Sequence, residues 1–121
     1  MQARAVRKYI RSSPRKMRPV VNLVRGKTVA EAFNILHYEP MKVTRAIELA
    51  IRSAVYNLMD KDPDTRYDEG ELVVSEIRVD DGPHFKRFRP AARGRAHPIL
   101  RRTCHLTVVV STADELEEAE A

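Results

Sequence analysis

Residues 84–102 read HFKRFRPAARGRAHPILRR, and the organisation of the whole chain follows from this stretch. It carries seven Lys or Arg residues and no acid. Its large apolar residues, Phe85, Phe88, Ile99 and Leu100, follow neither the two-residue period of a buried strand nor the 3.6-residue period of a helix. The stretch therefore predicts a basic segment that stays open to water and does not fold alone.

A run rich in β-branched residues lies on each side of this segment, at residues 72–79 and at residues 104–110. Such runs are typical of strands, and two strands joined by this segment predict a hairpin that extends beyond its own sheet. Pro90 and Gly94 are placed to bend its apex near Ala92. The eleven residues that follow Asp81 up to that apex would reach roughly 35 Å at about 3.3 Å per residue.

An exposed edge of this length favours aggregation unless something covers it. A polyanion fits, because cations along an extended backbone match a phosphate chain and Arg can hold phosphate in a bidentate fork. The alternative is a flexible basic loop with no dedicated partner. Phe85 and Phe88 are candidate stacking platforms for bases. A module that reads splayed bases usually has more aromatic residues, so the pattern favours recognition of backbone and shape.

Charge is distributed unevenly along the chain. Its 121 residues, enough for one domain, have a net charge of +5. Residues 1–30 contain nine cations and no acid, whereas residues 60–83 contain nine acids and three bases. Residues 1–30 and residues 84–102 are thus two basic segments without acids, and the cations within each repel one another. This predicts an anionic partner, with nucleic acid as the first candidate.

The sequence does not predict a membrane partner. Neither basic segment is an amphipathic helix with an apolar insertion face. We find no signal peptide and no apolar run of about eighteen residues, so we expect no route into or across a membrane. The single cysteine excludes an internal disulfide, which suits the cytosol.

The first segment predicts a strand and then a basic helix start. Residues 2–11 alternate loosely and are interpreted as a strand. Ser13 is the expected N-cap, and Pro14 fits the first helical position, where no N–H is needed. Three cations follow in the first turn, namely Arg15, Lys16 and Arg18. Exposed N–H groups beside these cations would bind phosphate; alternatively, the cations merely weaken the helix through its dipole.

The body of this first helix has a clear apolar side made of Val20, Val21 and Val24. Gly26 suits the left-handed residue that ends a helix. Pro19 removes one hydrogen bond and crowds the carbonyl of the residue four positions earlier. It therefore predicts a kink, or a single tight turn followed by a helix from Pro19.

Two more helices are predicted before an acidic loop. Thr28 and Glu31 fit a capping box. The apolar positions of the second helix are Val29, Ala32, Phe33 and Leu36. The core helix follows Pro40 and runs to about Met59. Its apolar stripe is Val43, Ile47, Ala50, Ile51, Ala54 and Leu58.

Two strands flank the basic segment. The strand at residues 71–81 should present either Val73, Ser75, Ile77 and Val79, or the alternate set, to the core. The return strand should present the residues of one parity, which are Leu100, Cys104, Leu106, Val108 and Val110.

No catalytic or metal-binding constellation is predicted. Cys104 alternates with apolar residues, so packing is favoured over nucleophilic chemistry, and His105 points to the opposite face of a strand. The four histidines (His37, His84, His97 and His105) lack metal-ligand spacing. Asp80 and Asp81 are adjacent carboxylates that diverge on a strand, which favours a solvated acidic surface over a magnesium site. The sequence therefore predicts neither an enzyme nor a cofactor.

Several separated motifs, in order, resemble the large ribosomal subunit protein twenty-two family in its bacterial form. They are residues 3–5 (ARA), 13–18 (SPRKMR), 25–27 (RGK), 79–83 (VDDGP), 86–87 (KR), Pro90, 94–96 (GRA) and 101–110 (RRTCHLTVVV). The match extends to about Ser111. Ala91 stands where relatives usually have arginine, and Cys104 replaces a common serine. Pro19 and the acidic tail are unusual, and no family role is carried onto them.

The resemblance implies an α+β fold, with a small three-stranded antiparallel sheet packed on three helices and a long extended β-hairpin arm. It implies a seat on the surface of the large subunit, with the arm passing between RNA domains to line the peptide exit tunnel. The expected rRNA-binding residues are Arg4, Arg7, Lys8, Arg11, Ser13, Arg15, Lys16, Arg18, Arg25, Lys27, Lys86, Arg87, Arg93, Arg95, Arg101 and Arg102. The expected tunnel tip is Arg89, Pro90, Ala91, Ala92, Arg93, Gly94 and Arg95.

We therefore predict a single domain, residues 1–121, with a body at 1–83 and 103–112, the arm at 84–102 and an acidic tail at 113–121. The predicted function is that of a structural, cytoplasmic ribosomal protein that binds 23S-type rRNA and supports assembly. Its expected partners are large-subunit rRNA, neighbouring ribosomal proteins and, transiently, the nascent peptide. The alternatives are a nucleic-acid architectural protein outside the ribosome and an RNA-processing enzyme, which the missing acid/base or metal set disfavours.

Overall fold

The computed structural model of the chain describes residues 2–112 and contains three α-helices and five strands. The elements, in chain order, are β1 (Gln2–Ile10), α1 (Pro14–Val24), α2 (Val29–Tyr38), α3 (Thr44–Lys61), β2 (Leu72–Asp81), β3 (Phe85–Pro90), a 3-10 turn (Ala92–Gly94), β4 (Ala96–Arg101) and β5 (Cys104–Thr112). The predicted acidic tail lies outside the described residues. No helix within residues 2–112 is both long and apolar enough to cross a membrane.

The body is a three-stranded antiparallel sheet covered by helices on one face. The strand order is β1–β5–β2. α3 contacts β1 and β5, while α1 and α2 contact β2. On β1 only Ala3 and Ala5 are buried, and they lie opposite Val110 and Val108 of β5. The predicted α+β class, with three helices, a three-stranded sheet and a β-hairpin arm, is confirmed.

The helices begin where the sequence predicts. Ser13 accepts a hydrogen bond from the backbone N–H of Lys16, and Thr28 accepts one from that of Glu31. Gly26 has a φ of +78°, in the left-handed region that glycine adopts without a steric penalty. Pro19 lies inside a continuous α1. The alternative of a tight turn followed by a new helix from Pro19 is therefore wrong.

Strand β2 changes its buried side part-way along its length. Val74 pairs with Val110, but Glu76 pairs with the next residue back, Val109, so Ser75 is an extra residue in the ladder. Its hydroxyl donates to the carbonyl of Val109 at 3.1 Å. The helix-covered side is therefore Leu72 and Val74 before the bulge, and Ile77 and Val79 after it. The prediction of one alternating set along the whole strand is wrong, because a bulge moves later residues to the other parity.

The return strand matches its prediction except at one residue. Cys104, Leu106, Val108 and Val110 are fully buried. Leu100 belongs to β4 in the arm and remains 42% exposed, so its assignment to the buried face is wrong. A break in the pairing at residues 102–103 separates it from the sheet.

That break is a second irregularity of the ladder, at the root of the arm. Asp81 pairs with Cys104 and Phe85 pairs with Arg101, so three residues between them on one strand face two on the other. Gly82 donates its N–H to the carbonyl of Thr103 at 3.0 Å, and the Thr103 hydroxyl donates to the carbonyl of Pro83. Unequal strand lengths bend a ladder and increase its twist. This junction therefore sets the direction in which the arm leaves the body.

Candidate nucleic-acid interface

The arm is an antiparallel ribbon whose two faces differ in charge. Residues directly opposite each other share a face of a ribbon. One face carries the pairs Phe85–Arg101, Arg87–Ile99 and Arg89–His97, and the other carries Lys86–Leu100, Phe88–Pro98 and Pro90–Ala96. The first face therefore has three arginines, whereas the second is apolar except for Lys86. Every residue of β3 is exposed, and in β4 only Ile99 is partly covered.

The tip is a tight turn that points three arginines into solvent. Ala91 donates its N–H to the carbonyl of Arg95 at 2.7 Å, which closes the turn. Arg93 and Gly94 both have positive φ, at 63° and 70°. For a residue other than glycine this conformation costs about 1 kcal/mol. Arg89, Arg93 and Arg95 are exposed, whereas Ala91 is partly covered.

On the body, the predicted cations of β1 occupy an edge strand. Arg4 lies on the sheet face opposite the helices, since its neighbours Ala3 and Ala5 point towards them. Arg7 and Lys8 are exposed near the end of the strand. Tyr9 then takes a positive φ of 59°, and its N–H donates to Nδ1 of His105 at 3.1 Å. This irregularity shifts the register between Arg7 and Ile10, and the pairing resumes at Ile10 opposite Cys104 before the chain turns towards α1.

The start of α1 keeps its cations in solvent. Arg15 and Lys16 are exposed and have no acidic partner within the described residues. Arg18 lies 3.9 Å from Asp81 and donates to the carbonyl of Val79 at 3.4 Å. Cations beside the positive end of a helix dipole are unfavourable unless an anion is bound there. The first turn of α1 therefore presents exposed cations to solvent, as the predicted phosphate site requires.

Besides Arg18, Ser13 and Arg25 of the predicted set form hydrogen bonds inside the chain. Ser13 is partly buried and caps α1. Arg25 donates to Oδ1 of Asn22 and to the carbonyl of Ile77, each at 2.7 Å, which ties the end of α1 to β2. All fifteen cations of the predicted set are exposed, but Arg25 already has two of its guanidinium N–H groups engaged inside the chain.

The structure brings one group of predicted residues together and leaves the rest apart. Residues Arg11, Ser13, Lys16, Arg87, Arg101 and Arg102 line a single crevice between α1 and the arm. Lys27 lies beside the opposite edge of the sheet, where its carbonyl accepts from Val74. Lys42, just before α3, lines the same crevice and was not predicted. A cation immediately before the core helix was the only sequence signal for it.

Comparison with known proteins decides the family. The profile of the family described as ribosomal protein L22p/L17e matches residues 5–111. The chain belongs to this family. It is 60% identical over 121 residues to the large ribosomal subunit protein uL22 of Salinibacter ruber, covering 100% of this chain and 99% of that protein. It is 50% identical over 115 residues to that of Desulforamulus reducens, covering 95% and 99%. Identity to that of a Synechococcus strain is 42% over 120 residues, covering 99% and 94%.

These matches confirm the family that the sequence motifs indicated. The L22p/L17e family consists of ribosomal proteins, which are structural and not enzymatic. Within residues 2–112, no group of three or more His, Cys, Asp or Glu residues is arranged to hold a metal ion. Asp80 lies 3.6 Å from Arg78, and Asp81 lies 3.9 Å from Arg18. Each of these adjacent carboxylates therefore faces an arginine of the same chain.

Cys104 is a packing residue of the core. It is fully buried, and its thiol lies 3.6 Å from Sδ of Met17. Burial raises the pKa of the thiol above its ordinary value; the nearby Arg18 charge opposes this and the Asp81 charge adds to it. A raised pKa keeps the sulfur protonated and weakly nucleophilic.

This shift predicts a stability loss at alkaline pH. The folded protein favours the neutral thiol, so the stabilisation is complete below the ordinary value of 9.0 and is lost as pH rises through the folded-state pKa. Relative to Cys104→Ala, the free energy of unfolding of the natural chain should fall by up to about 1.4 kcal/mol per pH unit. This fall is expected between the pKa of the thiol in the unfolded chain and its higher pKa in the folded chain. Urea unfolding of both proteins at neutral and alkaline pH measures this difference. Parallel pH profiles would contradict the assignment.

Proposed function

We propose that this chain is a structural constituent of the large ribosomal subunit that binds large-subunit rRNA mainly through phosphates. The observation that carries the proposal is the arm, whose strands are exposed along their length and carry cations without a single acid. A ribbon with so little apolar burial gains its stability from a partner. Three arginines on one face suit a row of phosphates.

The body supplies further contacts on more than one side. Arg4 lies on the uncovered face of the sheet, Arg15 and Lys16 at the start of α1, and Lys27 beside β2. Cations on separate surfaces can neutralise separate RNA segments, which repel one another when they approach. The protein therefore supports assembly by allowing several RNA segments to pack around it.

The partners follow from this role. As a ribosomal protein, the chain has rRNA and neighbouring ribosomal proteins as partners in the cytoplasmic ribosome. We propose in addition that the tip, residues 89–95, lines the peptide exit tunnel and contacts the nascent peptide transiently. Its turn presents Arg89, Arg93 and Arg95 at the far end of the arm, where no part of the body covers them.

We also propose that the body and arm act as one domain, with the boundaries that the sequence predicts. β2 and β5, which carry the arm, are paired with each other inside the sheet of the body. A force on the arm is therefore transmitted to the core strands, and the arm is not an independent module.

Reversing the charge of the tip tests this function. Arg93→Glu combined with Arg95→Glu should reduce incorporation into large subunits, or impair translation, because two phosphate-facing cations become acids. The negative slope of log affinity for rRNA against log salt should become shallower by about 1.4 to 1.8, the contribution of two phosphate contacts. The melting temperature of the isolated protein should stay unchanged, since both side chains are exposed. Sedimentation after a high-salt wash measures incorporation.

The control is Arg45→Glu combined with Arg66→Glu, which changes the net charge equally. Both residues are exposed and lie outside the arm and the start of α1. Normal assembly and translation by the tip variant would show that the tip has no such role. Failure of the natural chain to sediment with large subunits would overturn the ribosomal function itself.

A further inference from the structure

A crevice of about 960 Å³ lies between the root of the arm and the body. Its walls come from the turn before α1, the segment before α3 and the first residues of the arm. Pockets that hold small organic groups have volumes of about 300–1,000 Å³. The crevice is therefore large enough for a chemical group, and it is not a gap between packed side chains.

The lining of the crevice combines cations with apolar surface. Its charged residues are Arg11, Lys16, Lys42, Arg87, Arg101 and Arg102, and no lining residue is acidic. Its apolar residues are Ile10, Val43, Ala46, Phe85 and Leu100. Phosphate alone does not need an apolar wall, and an apolar peptide does not need six cations. A nucleotide has both an anionic group and a flat apolar one.

Phe85 is oriented for stacking. Its side chain is 49% exposed although it lies at the root of the arm, next to the body. The guanidinium of Arg87 lies 5.8 Å from the ring centre, so one part of the ring already has a cationic partner. Aromatic rings and guanidinium planes are the surfaces on which proteins stack unpaired bases.

The start of α1 adds anion-binding capacity to the same crevice. Ser12, Ser13 and Lys16 are among its lining residues. The Ser13 hydroxyl accepts from one N–H of the first turn. The N–H groups there that have no partner within the helix favour negative charge. The anionic and apolar parts of a ligand are thus accommodated by different walls.

We propose that this crevice receives an unstacked nucleotide of the bound RNA, with its base against Phe85 and its phosphates beside Lys16 and Lys42. The proposal rests on the function proposed above and adds to it a site of base insertion, which recognition by phosphates alone does not require. A nucleotide held between the arm and α1 fixes the angle between them. RNA binding then orients the arm as well as neutralising it.

Binding of short RNA by the full chain tests the site. The probes are a fluorescent uridine hexamer and an abasic sugar-phosphate hexamer of equal charge. The uridine hexamer should bind about ten-fold tighter, the size expected for one base stacked on one ring. Phe85→Ala should abolish this preference. Phe88→Ala is the matched control, because Phe88 is 70% exposed and does not line the crevice.

A second pair of variants tests the cationic wall. Lys42→Gln should weaken binding of the uridine hexamer about three-fold, whereas Arg45→Gln, three residues further on and outside the crevice, should not. All four substituted side chains are exposed, so the folded state should persist.

Three results would overturn the site. They are equal affinity for the two hexamers, equal losses in the two Phe variants, and tighter binding of an uncharged apolar hexapeptide than of uridine hexamer. If neither hexamer binds but the chain still enters large subunits, the crevice proposal fails and the proposed function stands. If the chain does not enter large subunits, the proposed function fails.

Discussion

The affinity of the chain for large-subunit rRNA is expected to fall by about 1,000- to 100,000-fold as salt rises from about 50 to about 200 mM. A protein that neutralises phosphates releases the counterions condensed on the RNA, and added salt opposes that release. The logarithm of the affinity falls with the logarithm of salt, with a slope of about −0.7 to −0.9 per phosphate contact. A loss of this size corresponds to about six to ten contacts.

The structure supports that number of contacts. All fifteen predicted cations are exposed. Arg18 and Arg25 also donate to backbone carbonyls of β2, and cations on opposite sides of the body need not all reach RNA together. Filter binding of the full chain to large-subunit rRNA over a salt series measures the slope directly.

Two single substitutions distinguish a cation that contacts phosphate from one that is bonded inside the chain. Arg95→Gln removes an exposed cation of the tip and should make the slope shallower by about one contact. Arg25→Gln should leave the slope nearly unchanged but lower the free energy of unfolding by about 1 kcal/mol, since it removes bonds to Asn22 and Ile77. A slope for the natural chain shallower than about −2 would show that contacts other than phosphates dominate.

The arm and the helices could be predicted because their signals are local. A run of cations without acids predicts an exposed segment wherever the chain folds. Ser13 and Thr28 accept from N–H groups only three residues further along the chain. The stripe from Ile47 to Leu58 repeats within one helix and is buried throughout. Each of these features depends on residues a few positions apart.

The errors arose where the partner strand decides the geometry. Ser75 becomes an extra residue only because Val74 and Glu76 pair with adjacent residues of β5. Leu100 has the parity of the buried face, but the break at residues 102–103 places it on a separate ribbon. The bulge at Ser75 has no glycine or proline to signal it. Gly82 and Pro83 do lie at the break in the ladder, but they do not by themselves show that Leu100 leaves the buried face. Pairing between residues well separated in the sequence, such as Asp81 with Cys104 and Val74 with Val110, was needed to locate them.

The candidate site was predicted by type of residue but not by shape. The sequence identified almost all of the cations, but the two-faced arm follows from the register that pairs Phe85 with Arg101. The crevice joins Lys16, Lys42 and Phe85, which are far apart in the chain. Lys42 was missed because the segment around it has balanced charge, and only its position opposite the arm distinguishes it.

Gly82→Ala is expected to destabilise the protein by about 3 kcal/mol, at the upper end of the usual cost of overpacking. A Cβ at this position would lie 2.5 Å from the Thr103 hydroxyl and 3.2 Å from the carbonyl carbon and oxygen of Thr103. Thr103 is only 4% exposed, and its hydroxyl is bonded to the Pro83 carbonyl, so it cannot move away freely. Urea unfolding measures the loss. Gly70→Ala is the control, because a Cβ there meets nothing within 4 Å.

A double-mutant cycle then separates the clash at the arm root from a general effect of the substitution. Thr103→Ala removes the hydroxyl that the new Cβ would meet, while costing the bond to Pro83. The loss in the free energy of unfolding of the double variant should therefore be smaller than the sum of the two single losses by about 1 kcal/mol or more. The remaining loss reflects the backbone of Thr103, which the second substitution leaves in place. Simple additivity would show that Gly82 and Thr103 do not constrain each other, and that the direction of the arm is set elsewhere.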